Sequence, residues 1–164
     1  MAKVLIIYDS LYGNTRSIAE SLHGLLSDAM LDVSLVSVKE ISIEDMNRYD
    51  AFVIGSPTHY WNPSRDIIKL LEEMGRSRIR EKIGFIFSTR FKGTLLGSAG
   101  NHIFTCLKIL HFSVQLPWVD FHVEDVKGPI VDDKDQKCRM FADKISTIIL
   151  ALSKQRHSEE NALA

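Results

Sequence analysis

The stretch Ser10-Leu11-Tyr12-Gly13-Asn14-Thr15 gathers three hydroxyls, a glycine and an asparagine into six residues, with no lysine among them. It stands between an unbroken apolar run, Val4-Leu5-Ile6-Ile7-Tyr8, and a segment in which Ile18, Leu22, Leu25 and Leu26 recur at helical spacing. A loop placed between a buried strand and a helix presents free backbone N–H groups and the positive end of the helix dipole. The chemistry this suits is anion binding, most simply of a phosphate. The same residues also suit a tight turn whose Ser and Thr cap the helix, and the stretch alone leaves both readings open.

Two further stretches carry side chains of chemical interest. Pro57-Thr58-His59-Tyr60-Trp61-Asn62 sets three large aromatic or imidazole groups in succession on a loop, where they are costly unless something covers them. A planar ring would cover them by stacking, or Tyr60 and Trp61 fold back on the following helix. Ser88-Thr89-Arg90-Phe91-Lys92-Gly93 opens a third loop, polar and basic, that extends to Gly100.

Several chemistries are excluded. Neither Gly-x-x-x-x-Gly-Lys-Ser/Thr nor Gly-x-Gly-x-x-Gly occurs, nor the hydrolase elbow Gly-x-Ser-x-Gly. The six histidines show no metal-ligand spacing, so no metal site is expected. A phosphorylation switch needs an aspartate where Gly55-Ser56-Pro57 stands. A net charge of −1 gives no nucleic-acid footprint. No apolar run approaches the ~20 residues of a membrane span, and the N-terminal residues lead straight into a strand pattern, so neither a span nor a signal peptide is expected. Cys106 and Cys138 are far apart and lack a C-x-x-C partner, which reads as free thiols in a reducing, cytoplasmic setting.

The elements that must position these loops follow from periodicity. The run from Val33 to Val38 alternates strictly, as a half-exposed edge strand does, and Ile43, Met46 and Tyr49 mark a short one-sided helix. The run from Ala51 to Ser56 is a third, buried strand. A helix capped by Ser64 buries Ile67, Ile68, Leu70, Leu71 and Met74 and stops at Gly75. A fourth strand spans Ile83 to Ser88, and a helix runs from about Asn101 to Leu110. The fifth strand covers Val114 to Val123, with Pro117 inside it placing it at an edge. The acidic stretch Asp132-Asp133-Lys134-Asp135 precedes the last helix, which buries Met140, Phe141, Ile145, Ile148, Ile149 and Leu152. Residues 153–164 are polar and expected to fray. Five strands alternating with helices over 164 residues imply one α/β domain. Its sheet is parallel and doubly wound, in the order 2-1-3-4-5, with helices on both faces. A ligand then sits at the carboxyl ends of strands one and three, where the three loops meet.

At this point the residues carry a likeness. Ser-x-Tyr-Gly-Asn-Thr resembles the phosphate loop of flavodoxin-like proteins, and Gly55-Ser56-Pro57-Thr58 with its aromatic loop and amphipathic helix resembles their second flavin loop. The motifs fall in the right order after the right strands and span most of the chain. The resemblance implies a flavodoxin-like fold and non-covalently bound FMN. By it, Ser10, Tyr12, Gly13, Asn14 and Thr15 hold the phosphate. Pro57, Thr58, His59, Tyr60, Trp61 and Asn62, with Ser88, Thr89, Arg90, Phe91, Lys92 and Gly93, flank the ring.

Two departures bear on the kind of flavoprotein. Carriers of the family usually have a glycine in the second loop that lets a peptide flip toward the ring, since glycine takes φ > 0 at little cost. This loop has none, which implies weaker stabilisation of the one-electron form. Arg90 and Lys92 also stand where carriers often place acidic residues; they are either solvated or attract an anionic partner. A fainter likeness, Gly97-Ser98-Ala99-Gly100-Asn101 and a helix ending at His111, points to FMN-dependent NAD(P)H:quinone oxidoreductases, with His111 as a candidate catalytic histidine. The leading expectation is an electron carrier working with a redox partner protein. The alternatives are a small NAD(P)H-dependent quinone or flavin oxidoreductase, and a flavin-free protein binding another phosphorylated ligand.

Overall fold

The first apolar run folds as β1 (Lys3–Tyr8), paired in parallel with β2 (Asp32–Ser37) on one side and β3 (Ala51–Pro57) on the other. β4 (Ile83–Phe91) continues outward from β3, again in parallel. This computed structural model describes residues 1–94 and 97–164; Leu95 and Leu96, in the loop expected over 89–100, lie outside the described residues. Among the described residues four α-helices, α1 (Asn14–Asp28), α2 (Arg65–Arg76), α3 (Ala99–Ile109) and α4 (Lys134–Leu163), accompany the sheet. The expected one-sided helix is a 3₁₀ turn over Ile43–Arg48 that buries Met46.

The sheet order is β2-β1-β3-β4-β5, the flavodoxin-like order read from the sequence. The edge position beyond β4 differs in detail from the expected continuous strand. It holds two pieces, β5 (Ser113–Val114) beside the start of β4 and β6 (Val119–Val123) beside its end. Between them Phe85 and Ile86 of β4 face residues 115–118, two more than the ladder can pair. Pro117, within that excess, has no N–H to give to a ladder, which suits it to the break between the two pieces. Lys144 Nζ secures this stretch by donating to the Leu116 carbonyl at 2.7 Å.

Strand residues alternate between two cores, as period 2 demands. Val4, Ile6, Val53, Phe85 and Phe87 pack with Ile18 and Leu22 of α1 and Phe141 and Ile145 of α4. Leu5, Ile7, Phe52, Ile54 and Ile86 pack on the other face with Ile67 and Met74 of α2 and Ile103 and Leu107 of α3. Ser64 caps α2, its Oγ accepting from Ile67 N–H at 3.3 Å, and that helix runs one residue beyond Gly75. Residues 153–163, expected to fray, continue α4 as exposed turns, with Arg156 Nη1 3.3 Å from Asp50. Among the described residues no helix is long and apolar enough to cross a membrane.

Candidate functional site

Because β1, β3 and β4 run in parallel and the winding reverses between β1 and β3, the loops leaving them diverge and open a crevice at the strands' carboxyl ends. The crevice encloses about 470 Å³. Its walls are Ser10, Leu11, Tyr12, Asn14 and Thr15; Pro57, Thr58, His59, Tyr60 and Trp61; Thr89, Arg90, Phe91, Thr94 and Gly97; and Val123 and Val126.

The first loop ends on Gly13, at φ 93°, immediately before α1. That left-handed conformation suits glycine and turns the chain sharply into the helix. Gly13 N–H donates to Ser10 Oγ at 3.0 Å, so the serine closes the turn and does not cap the helix. The N–H groups of Asn14, Thr15 and Arg16 have no acceptor inside α1. Thr15 is buried, and its Oγ1 lies 3.2 Å from Thr89 Oγ1. The seam continues: the Thr89 carbonyl accepts from Thr58 N–H at 2.9 Å, and Thr58 Oγ1 accepts from Ala99 N–H at 3.1 Å. Three threonines thus stitch the first loop, the second loop, β4 and the start of α3 together.

The second loop departs from expectation. His59 and Asn62 exchange both backbone hydrogen bonds, at 2.8 and 2.9 Å, and the two residues between them, Tyr60 and Trp61, have φ of 46° and 68°. Positive φ at both central positions is the pattern of a type I′ turn, which ordinarily takes Asn-Gly. The loop therefore reaches positive φ without glycine, through two aromatic residues that resist it. Asn62 holds the turn, its Nδ2 donating to the Tyr60 carbonyl at 3.1 Å and its Oδ1 3.4 Å from His102 Nδ1. Tyr60 is 89% and Trp61 53% exposed. Neither folds away on α2.

The third stretch is mostly the end of β4. Ser88 is buried and donates to Asp120 Oδ1 at 2.6 Å, within the sheet. Arg90 lines the cleft, but its guanidinium is committed: Nη1 is 3.5 Å from Asp120 Oδ2, and Nη2 donates to the Thr94 carbonyl and, at 2.9 Å, to Thr94 Oγ1. Arg90 is thus an internal brace between β6 and the loop, rather than a solvated charge. Lys92 and Gly93 form the turn beyond, Lys92 N–H donating to the Val123 carbonyl at 3.1 Å. Of the residues expected at a cofactor, Gly13, Asn62, Ser88, Lys92 and Gly93 stand behind or beside the lining, and the others form it. His111, at φ 60°, follows α3 beside the amino ends of β4 and β5, at the end of the sheet away from the cleft.

A fourth loop, after β6, has no counterpart in the sequence reading. Val126 lines the cleft, Lys127 Nζ lies 6.0 Å from the Tyr12 ring centroid, and Gly128 packs on Asn14. Gly128 has φ 96°, and a Cβ there would stand 2.8 Å from Asn14 Oδ1. The signal for it was topological, since a loop leaving the fifth strand must emerge at the same edge; Gly128-Pro129 marks its turn. Among the described residues no group of His, Cys, Asp and Glu is placed to hold a metal ion.

Comparison with known proteins agrees with this geometry. A family model described as a flavodoxin domain matches residues 5–94. A flavodoxin of Aquifex aeolicus is 32% identical over 133 residues, covering 78% of this chain and 69% of that protein. An NAD(P)H dehydrogenase (quinone) of Methylocella silvestris is 25% identical over 146 residues, covering 74% of this chain and 72% of that one. In structure, a flavodoxin from the domain Archaea superposes with a TM-score of 0.76 at 23% identity, covering 90% of this chain and 98% of its own. By the domain match over residues 5–94 and the 32% identity to a flavodoxin, and with the sheet order in agreement, the chain belongs to the flavodoxin family.

Proposed function

We propose that the chain binds FMN non-covalently in this cleft and carries electrons between a reduced donor and an acceptor. Family membership implies FMN as the cofactor. The residues present fit it. The observation that carries the reading is one cavity of about 470 Å³ with unsatisfied helix N–H groups at one end and exposed aromatic rings at the other. That volume is in the range of cofactor sites.

The N–H groups of Asn14, Thr15 and Arg16 supply donors for the phosphate, with α1's dipole behind them. Ser10 Oγ already accepts from Gly13, so its own proton remains to be donated. Tyr60 and Trp61 form an aromatic wall that covers a planar ring and keeps water from one face. The threonine seam holds these loops at fixed separation, so little order has to be imposed on binding. Bound FMN supplies reversible uptake of electrons, and the protein sets its access and surroundings. Arg90's pairing with Asp120 takes one of the two cations, Arg90 and Lys92, out of the support for a nicotinamide-attracting third loop, which speaks for the carrier over a self-sufficient oxidoreductase. Two free cysteines, one buried and one partly so, accord with a reducing cytoplasm.

Anaerobic titration of the FMN-loaded protein tests this. A carrier keeps its visible spectrum on addition of NADH or NADPH and bleaches with dithionite. Rapid bleaching by either nicotinamide would establish the oxidoreductase instead. Failure of the purified protein to take up FMN would leave a different phosphorylated ligand for the cleft.

A further inference from the structure

We propose that Lys127, carried on the loop after β6, is the counter-charge of the phosphate subsite formed by residues 10–15. The inference rests on the FMN reading and deepens it. The phosphate-type loop has no cation of its own, and its nearest arginine in sequence, Arg16, is engaged with Glu20 at 2.8 Å. Arg90, also in the lining, is engaged with Asp120. Lys127 makes no ion pair among the described residues, and its Nζ lies over the Tyr12 ring.

The fourth loop is built to hold that position. Glu124 N–H donates to the Pro129 carbonyl at 3.0 Å, and Gly128 N–H to the Asp125 carbonyl at 2.9 Å. Of the loop's two carboxylates, Glu124 and Asp125, the second is turned back on Val126 N–H at 2.7 Å. Gly128, at φ 96° and set against the end of the Asn14 side chain, lets the loop close directly onto Asn14. The ammonium is thereby brought to the loop that presents the unsatisfied helix N–H groups. A lysine on four methylenes can pass from an aromatic face to a phosphate oxygen without moving its backbone. It contributes only where the ligand carries charge there.

The chemistry predicts a split between two ligands that share the ring and differ in the phosphate. Calorimetric titration with FMN and with riboflavin is carried out on the parent and on the Lys127→Gln, Lys127→Arg and Lys154→Gln variants, Lys154 being an exposed residue of α4 far along the chain. Lys127→Gln is expected to weaken FMN roughly tenfold and leave riboflavin within about twofold, an effect that shrinks at high salt. Lys127→Arg restores FMN affinity, and Lys154→Gln alters neither ligand. Unchanged FMN affinity in Lys127→Gln overturns the inference while the FMN reading stands. Equal loss of FMN and riboflavin overturns it too, because the lysine then only props Tyr12. A parent protein that binds no FMN overturns the FMN reading and this inference with it.

Discussion

The Asp132 carboxylate accepts from the His122 backbone N–H, lies 3.2 Å from His122 Nδ1 and 3.3 Å from Lys137 Nζ. Burial alone would raise its pKa, but the two His122 contacts and the Lys137 charge outweigh that and hold it below the usual carboxylate range. Asp132 is therefore protonated less readily in the folded chain than in the unfolded one. Its contribution to stability is complete above the unfolded pKa of about 3.9 and is lost as the pH falls through the folded value. Urea midpoints measured from about pH 6 down to about pH 2.5 should fall more steeply for the parent than for Asp132→Asn, which keeps an acceptor for His122 N–H but cannot titrate. Parallel curves would refute this. At this scale the sequence tells less than it does of the loops. Ser10, Thr15, Thr58 and Tyr60 are identifiable because motif and strand ends place them. The partners of Ser88, Arg90 and Asp132 are not, because each bond crosses to a neighbouring strand or loop whose register no local pattern states.

Among the elements, the turn at Tyr60 and Trp61 is where local preference and structure disagree most. Two bulky residues at positive φ cost on the order of 1 kcal/mol or more each. Substituting both positions at once, Tyr60→Asn together with Trp61→Gly, gives the turn its preferred residues. The ligand-free double variant should gain about 1 kcal/mol of stability in denaturant unfolding and lose flavin affinity at the same time. A variant less stable than the parent would show that the rings contribute packing that outweighs their backbone cost. The lack of glycine in this loop suggests a lack of positive φ; the paired backbone bonds of His59 and Asn62 impose it regardless. In the same way Pro117 is legible as an edge signal, while the two-residue excess that splits the strand into β5 and β6 depends on where β4 stops needing partners.

Across the whole molecule, the parallel order of the sheet is legible because buried runs and helical stripes alternate without interruption, and topology does the rest. Its two cores end unevenly. The buried positions of α4 finish at Ile149, and beyond Arg156, paired with Asp50, the helix touches little. Removing residues 158–164 should shift the thermal midpoint by no more than a degree or two, since exposed terminal turns contribute within about 0.5 kcal/mol. A larger drop would mean that this segment is covered in solution.

The hydroxyl pair of Thr15 and Thr89 holds two protons but needs only one between its oxygens, and either residue is able to donate. Left to itself, the direction of that bond is undecided. An anion accepting from Thr15 decides it, because Thr15 must then receive from Thr89, and the orientation of a proton on β4 becomes a record of whether the first loop is filled.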